Sequence, residues 1–149
     1  MHGGEVRFTL FTHILTPIDG SEASFKALDE AAKLARSFGS KLTILHVVDT
    51  RHLLEYEEQE REDLLKKLRV RGAEVLKEAE SKVKPFNIIF ESTMKEGNPA
   101  EVIVETADEL KAELIVIGTR GLTGLRKMVL GSTTYKVVEW ASCHVLVVK

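Results

Sequence analysis

Four of the ten glycines in this 149-residue chain fall within fourteen residues, at Gly118, Gly121, Gly124 and Gly131. Because glycine carries no side chain and tolerates positive φ, successive backbone amides of such a segment can approach an anion closely. Gly131 is followed by Ser132 and a helical pattern, and the amides and positive dipole at the start of a helix favour phosphate. The residue types and their spacing therefore predict a phosphate-binding loop that ends at a helix.

Cationic side chains lie on the same predicted loop, at Arg120, Arg126 and Lys127. A glycine-rich segment can also be a plain connection, in which case Ser132 only caps the following helix. The binding interpretation is favoured because a preceding strand, the glycines, the cations and the helix start occur together.

The two most familiar phosphate-binding patterns are absent from the sequence. A P-loop needs a Gly-Lys pair, and none occurs in the chain. The dinucleotide fingerprint, with its three glycines after the first strand, is replaced by the turn-forming segment Pro17-Ile18-Asp19-Gly20-Ser21. The predicted loop thus belongs to another class of phosphate site.

Composition argues against several classes of partner. The net charge of -2 and the pI near 6.2 give no reason to expect nucleic acid. The single cysteine, Cys143, excludes an intrachain disulfide and a cysteine-based zinc site. Residues 1–11 do not resemble a signal peptide, and no apolar run approaches the ~20 residues of a membrane helix. We therefore expect a cytoplasmic protein with no membrane partner.

Apolar periodicity predicts the elements that position these segments. The expected strands are 13–18, 42–48, 87–93, 114–117 and 144–148. Four helices are expected, over residues 21–38, about 57–84, from Pro99 onward and about 132–141. Gly39 ends the first and Pro85 the second, while Asn98 caps the third ahead of Pro99. The expected apolar stripe of the second helix consists of Leu64, Leu65, Leu68, Ala73, Leu76, Ala79 and Val83.

The alternation of strands and helices predicts one α/β domain over residues 1–149. Right-handed crossovers give an open five-stranded parallel sheet with helices on both faces. In a 3-2-1-4-5 strand order, the turn Asp19-Gly20-Ser21 and the loop from Gly118 to Ser132 flank one crevice. Folds of this type bind ligands at such a switch point.

The spacing Gly118-x2-Gly121-x9-Gly131-Ser132 resembles that of the ATP-binding branch of the universal stress protein family. The resemblance covers nearly the whole chain, through segments 14–22, 45–49, 96–100, 115–124 and 143–148. It implies an adenine nucleotide alpha hydrolase-like fold. It also implies ATP, ADP or AMP as the ligand, with Mg2+ or Mn2+ on the phosphates.

The resemblance implies a role for each residue that matches the family pattern. Pro17 and Ile18 would line the adenine side, and Val47 would pack against the base or hydrogen-bond to it through its backbone. Asp19 would face the ribose or a phosphate-bound metal ion, for which a carboxylate is a suitable ligand. The remaining residues would surround the sugar and phosphates: Gly118, Arg120, Gly121, Gly131, Ser132 and Thr133.

Simpler structural roles exist for three of these residues. Asp19 precedes a helix, where aspartate is a common cap. Val47 is equally compatible with an ordinary strand core, and Arg120 with a solvated loop side chain.

Other chemically capable residues do not form a recognisable site. His13, His46 and His144 lie on separate predicted strands without the spacing of paired metal ligands. Cys143 and His144 are adjacent, so their side chains point to opposite faces of a strand and a Cys-His catalytic pair is not expected.

Three classes of function remain open at this stage. The first is a nucleotide-dependent regulator or stress-response factor. The second is a slow ATPase or nucleotidyl-transfer enzyme, which is disfavoured because no Walker lysine or evident general base accompanies the loop. The third is a nucleotide-independent dimeric interaction module, which the intact glycine motif disfavours. A phosphoacceptor receiver domain fits less well, since the third predicted strand ends at Thr93-Met94 without an aspartate.

The last strand predicts how copies of the chain would assemble. Residues Val145 to Val148 are apolar and belong to a sheet edge, which invites pairing with another chain. The family resemblance likewise implies a homodimer formed across this strand.

Overall fold

The computed structural model describes residues 10–120 and 130–149. Five parallel strands form one sheet in the order β3-β2-β1-β4-β5, which confirms the predicted fold class. The strands are β1 (His13–Pro17), β2 (Lys41–Asp49), β3 (Phe90–Gly97), β4 (Leu114–Gly118) and β5 (His144–Val148). The helices are α1 (Glu22–Phe38), α2 (Glu58–Val83), α3 (Pro99–Leu110) and α4 (Ser132–Trp140), and short 3-10 turns span Leu53–Glu55 and Lys84–Phe86.

The bounds of α1 follow from its local sequence. The Ser21 hydroxyl accepts the Ser24 amide at 3.1 Å and caps the first turn. Gly39 adopts the left-handed conformation, with φ of 66°, and ends the helix. Between these caps, small residues such as Ala27 and Ala31 are fully buried, so the helix lies close to the sheet.

Hydrophobic cores lie on both faces of the sheet. Successive strand residues point to opposite faces. Ile14 therefore packs beneath α1 and α2, whereas Leu15 packs with residues of α3 and α4 such as Ile103 and Val137. This two-sided cover explains why the central strands have nearly continuous apolar sequences.

The predicted apolar stripe of α2 is only partly correct. Ala73 is exposed, whereas Gly72 and Val75 are buried together with the predicted Leu76, Ala79 and Val83. A search for apolar side chains cannot detect glycine, and the buried stripe begins at Gly72. The first half of α2 is mostly exposed, and its predicted stripe residues Leu64, Leu65 and Leu68 are only half-buried. A helix of 26 residues is about 39 Å long and extends past the strands that it covers.

The predicted bounds of the third strand are wrong. Asn87 has a left-handed φ of 52° and closes the turn that contains Pro85, so the strand begins three residues later. It then continues to Gly97 through residues such as Lys95, which alternate in exposure as expected for an edge strand. Its true end carries no aspartate, so the receiver interpretation still lacks its phosphoacceptor.

The remaining elements match their predicted positions closely. Asn98 occupies the N-cap position of α3, but its side chain makes no capping hydrogen bond. α4 ends at Trp140, one residue earlier than predicted, and β5 has the predicted bounds. Within the part of the chain that the structure describes, none of the helices is long and apolar enough to cross a membrane.

Candidate functional site

The crevice opens where β1 and β4 part at their carboxyl ends. Their ladder pairs Ile14 with Leu114 and Leu15 with Ile115. In this register, the next donor toward the Val116 carbonyl is the nitrogen of residue 17, which is a proline and has no N–H. The Thr16 hydroxyl donates to the Val116 oxygen instead, at 2.9 Å. Pro17 therefore ends the ladder at the switch point between the two halves of the sheet.

The turn after β1 is held by hydrogen bonds of its own. The Ile18 amide donates to the Leu45 carbonyl at 2.8 Å and ties the turn to β2. The Asp19 Oδ1 atom accepts the Ser21 amide at 2.9 Å. Asp19 thus shapes the turn that leads into α1, while Ser21 is the helix cap. The half-buried Asp19 carboxylate lies beside the crevice, and its predicted contact with ribose or metal stays a prediction.

Gly118, the last residue of β4, lies directly against the first turn of α1. A Cβ placed on Gly118 would lie 2.7 Å from the carbonyl oxygen of Ala23 and 2.8 Å from its carbonyl carbon. No side chain fits at that distance from backbone, so only glycine lets β4 end against the first turn of α1. This close approach brings the two predicted binding segments together.

Hydrogen bonds hold the first turn of α4 against the carboxyl end of β4. The Thr134 hydroxyl donates to the Gly118 carbonyl at 2.7 Å, and the Gly131 amide donates to the Thr119 carbonyl at 2.6 Å. The Thr119 amide in turn donates to Val148 of β5 at 3.1 Å. The two ends of the predicted phosphate loop are thereby held side by side.

Within residues 10–120 and 130–149, no side chain caps the amino end of α4. Gly131 occupies the N-cap position, and no side-chain hydrogen bond is made there. The first amides of an α-helix have no intrahelical acceptor, so those of Ser132 and Thr133 can donate to a group outside the helix. Ser132 is exposed and Thr133 half-buried. This arrangement can hold an anion against the carboxyl end of β4.

Val47 has the core role considered for it, and its contact with the base stays a prediction. Its side chain packs against the core beneath α3 and α4. Its backbone N–H and C=O point toward β1, as do those of Lys41 and Leu45 on the same strand, but Val47 lies beyond the last residue of β1. The backbone of Val47 therefore faces the crevice.

The structure brings together most of the predicted site residues. Those at the crevice are Pro17, Ile18, Asp19, Val47, Gly118, Gly131, Ser132 and Thr133. Arg120 is half-buried just beyond β4, and no described contact gives it a binding role. Gly121 lies outside the described residues, as do Gly124, Arg126 and Lys127.

Sequence reasoning missed three polar residues that build this edge. Thr16, His46 and Thr134 are all buried, and each hydrogen-bonds a backbone carbonyl there. A polar residue inside an otherwise apolar strand, as with Thr16 and His46, is the signal that would have found two of them.

Acidic groups farther along this edge are paired with arginines. Arg51 donates two hydrogen bonds to the Asp49 carboxylate at the end of β2, from Nε at 2.9 Å and from Nη2 at 2.6 Å. These hydrogen bonds lower the pKa of Asp49. Arg69 likewise donates to Glu96 near the end of β3 and lowers the pKa of that carboxyl. The pairing reduces the repulsion that these carboxylates would exert on a bound phosphate.

The described residues do not build a metal site from protein ligands alone. No cluster of three or more His, Cys, Asp or Glu side chains suited to a metal ion occurs in residues 10–120 and 130–149. Asp19 offers a single carboxylate. That is compatible with Mg2+ or Mn2+ only if phosphate oxygens and water complete the coordination.

Comparisons with known proteins identify the relatives of this chain. The sequence model described as the universal stress protein family matches residues 10–149. A universal stress protein of Methanocaldococcus jannaschii is 36% identical over 141 residues, covering 94% of this chain and 83% of that relative. The structure of the universal stress protein UspA from Lactobacillus plantarum superposes with a TM-score of 0.85 at 28% identity, covering 93% of this chain and 97% of the other.

A further solved structure is a universal stress protein in complex with cAMP. It has a TM-score of 0.69 and 27% identity, and the match covers 93% of this chain and 96% of that chain. The family match extends over nearly all of the sequence, and it agrees with the strand order and with the glycine spacing. This chain therefore belongs to the universal stress protein family.

Proposed function

We propose that this protein binds an adenine nucleotide in the crevice between β1 and β4 and acts as a nucleotide-dependent regulator. The observation that carries the proposal is the amino end of α4, which no described side chain caps and which the Thr134 hydroxyl holds against Gly118. Its amides suit the phosphates, and the backbone of Val47 suits the base. A related protein solved with cAMP supports the choice of adenine.

The proposal assigns binding rather than rapid chemistry to this site. ATP, ADP or AMP would be held by backbone donors, with Mg2+ or Mn2+ between Asp19 and the phosphates. The described crevice offers no histidine or lysine positioned as a general base, so any hydrolysis of ATP would be slow. The proposed setting is the cytoplasm, where nucleotide occupancy can report the energy state.

A homodimer formed through β5 is part of the proposal. β5 pairs with β4 on one side and forms an edge of the described sheet. Leu146 is 41% exposed on this strand. An exposed apolar edge strand readily pairs with a second copy. Sedimentation velocity, with Leu146→Lys as the disrupting variant, tests the dimer separately from nucleotide binding.

The direct test identifies the ligand. Purified protein is denatured, and any released nucleotide is identified by mass spectrometry. The refolded or nucleotide-free protein is titrated calorimetrically with ATP, ADP, AMP and cAMP, with and without Mg2+. We expect an adenine nucleotide to be released or bound. If nothing is released and no adenine nucleotide binds at millimolar concentration, the proposal is wrong.

The variant Ser132→Glu tests the position of the phosphates. A carboxylate in the first turn of α4 interacts favourably with the helix dipole, by about 0.5 kcal/mol, but repels a phosphate bound there. We expect nucleotide affinity to fall at least about tenfold while the free energy of unfolding is unchanged or slightly higher. Ser37→Glu, at an exposed site in the last turn of α1, is the matched charge control.

Opposite changes in affinity and stability separate a binding role from a folding role. If Ser132→Glu and Ser37→Glu bind the nucleotide as tightly as the unmodified protein, the phosphates are not at α4.

A further inference from the structure

The buried His46 imidazole touches the turn after β1. His46 is 8% exposed and lies on β2, next to Val47. Its Nδ1 atom is 2.9 Å from the carbonyl oxygen of Ile18. A carbonyl oxygen can only accept, so the Nδ1 atom carries the proton and donates. The imidazole thus holds the residue that precedes Asp19.

The Ile18 carbonyl is the point at which the β1–β2 ladder would continue. Odd-numbered residues of β2 direct their backbone groups at β1, as shown by the Lys41 amide on Thr12 (2.9 Å) and the Ile18 amide on Leu45 (2.8 Å). The next donor in this register is the Val47 amide, and its acceptor would be the Ile18 carbonyl. Among the described residues the ladder stops one step earlier, and the imidazole takes that carbonyl.

The helix α2 is shaped to admit the imidazole. A Cβ on Gly72 would lie 2.7 Å from the His46 Cδ2 atom and 2.7 Å from the Met94 sulfur, both far inside contact distance. Glycine weakens a helix interior, so its place in α2 is explained by this close approach. Met94 is the register partner of His46 on β3. The ring is therefore held between β3 and α2, which fixes the direction of its N–H.

We propose that His46 is a positioning residue of the nucleotide site. By occupying the Ile18 carbonyl, it keeps the Val47 amide available to the base. The Val47 N–H and C=O lie on the same side of β2 and offer one donor and one acceptor. Adenine presents the complementary pair, since its N1 accepts and its amino group donates, whereas guanine presents the reverse. The inference rests on the proposed adenine-nucleotide site and explains how its base contact is kept open.

Amide hydrogen exchange tests the inference, and the comparison that decides it is made on unliganded proteins. In the unliganded protein we expect the Val47 amide to exchange much faster than the Leu45 amide and to slow when AMP is added. In His46→Leu the Ile18 carbonyl loses the imidazole, so the Val47 amide should bond to it and exchange slowly. A Val47 amide that is equally slow in both unliganded proteins would overturn the inference.

Three substitutions at residue 46 test the geometry of the donor. In His46→Asn, the amide nitrogen can take the place of Nδ1, whereas in His46→Gln the same group sits one bond farther out. We expect His46→Asn to bind AMP within about threefold of the unmodified protein. We expect His46→Gln and His46→Leu to bind about tenfold more weakly, the cost of one neutral hydrogen bond.

The outcomes separate this inference from the proposed function. If the unmodified protein binds no adenine nucleotide, the proposed function fails, and the exchange of Val47 still decides whether His46 frees that amide. If the unmodified protein binds and all three variants bind equally well, His46 has no positioning role. Unfolding midpoints are measured for every variant. If His46→Asn fails to fold, Val47 exchange in the unmodified protein and in His46→Leu decides the question.

Discussion

The two edges of the sheet differ in the kind of chemistry that their residues can do. The amino edge gathers His13, Glu113, Cys143 and His144, which are types used for acid–base and nucleophilic catalysis. The carboxyl edge at the crevice offers mainly glycine, serine, threonine and backbone amides. The candidate site nevertheless lies at the carboxyl edge, and at the amino edge Glu113 and His13 are already hydrogen-bonded within the chain.

The carboxylate of Glu113 at the amino edge is fully engaged in hydrogen bonds to the start of β1. Its carboxylate accepts the Thr12 amide (2.9 Å), the Thr12 hydroxyl (2.7 Å) and the His13 amide (3.0 Å). Burial by itself would raise the pKa of Glu113, but these hydrogen bonds outweigh it and hold the pKa below its usual value. The carboxylate therefore ties β4 to the start of β1 and is not available as a base.

His13 and Cys143, also at the amino edge, have pKa values that disfavour their charged forms. Burial and the nearby Lys41 lower the pKa of His13, whose Nε2 lies 2.6 Å from the Thr43 hydroxyl. Burial raises the pKa of the Cys143 thiol, which stays protonated and unreactive near neutral pH.

The carboxyl edge is open because two ladders of β1 stop early. Pro17 has no amide for the Val116 carbonyl, and a side chain, Thr16, takes its place. On the other side, His46 takes the Ile18 carbonyl in place of the Val47 amide. The arrangement of backbone donors, rather than the presence of reactive residue types, therefore marks the candidate site.

Gly118→Ala should break the carboxyl edge with the largest effect. The new Cβ would meet the Ala23 backbone at 2.7 Å, so α1 or β4 must move. We expect a loss of about 3 kcal/mol in the free energy of unfolding, the upper part of the overpacking range, together with loss of nucleotide binding. Urea unfolding and calorimetric titration measure the two effects.

Gly39→Ala is the control for Gly118→Ala. Gly39 also has no side chain, but open space surrounds it and only its positive φ is strained. The variant Gly39→Ala should lower the free energy of unfolding by less than Gly118→Ala does, and it should leave nucleotide affinity unchanged. Equal loss of nucleotide affinity in both variants would show that Gly118 acts only through general stability.

Glu113→Ala should weaken the amino edge without touching the site. Loss of three hydrogen bonds to a half-buried carboxylate is expected to cost about 1.5 kcal/mol. Nucleotide affinity should stay within about twofold, since the edges lie at opposite ends of the strands. Glu105→Ala, at an exposed position of α3, is the matched control. A large drop in affinity for Glu113→Ala would break the contrast between the edges.

Thr16→Val tests whether the Thr16 hydroxyl shapes the crevice. It keeps the shape of the side chain but leaves the buried Val116 carbonyl without its hydroxyl donor. We expect a loss of about 1 kcal/mol in stability, measured by urea unfolding. Affinity should also fall, in contrast to Glu113→Ala, because the ends of β1 and β4 frame the crevice. Affinity equal to that of the unmodified protein would show that this hydroxyl does not shape the site.

The pH dependence of stability tests the amino edge with the smallest perturbation. The folded chain has a lowered pKa at His13, so below pH 6.5 the unfolded chain takes up that proton more readily and stability falls. Glu113 also has a lowered pKa, so its contribution is present above its ordinary pKa of 4.5 and is lost as the pH falls through the folded value. Urea unfolding from pH 7 to pH 3 measures both.

Glu113→Gln is the reference for this pH series. It should reduce the loss of stability below pH 4.5 and slightly enlarge the loss near pH 6, because the charge of Glu113 raises the pKa of His13. The remaining acid slope is expected from Asp49 and Glu96, whose pKa values are lowered by Arg51 and Arg69. An unchanged profile in Glu113→Gln would mean that Glu113 does not stabilise the amino edge.

Much of the fold could be predicted from the sequence because its signals are local. Ser21 and Gly39 bound α1, and apolar runs mark the central strands that are buried on both faces. The edge strand β3 was misplaced because its solvated face leaves no continuous apolar run. Gly72 was missed in α2 because a buried glycine adds nothing to an apolar stripe.

The sequence by itself determined the alternation of elements and the family, because periodicity, caps and glycine spacing are properties of residues close together in the chain. Only the tertiary structure decided which groups at the crevice are already engaged. It showed that Thr16 and His46 replace backbone donors on either side of β1, and that Gly118 touches α1. These contacts join residues far apart in the chain, and the register that creates them exists only once the strands have paired.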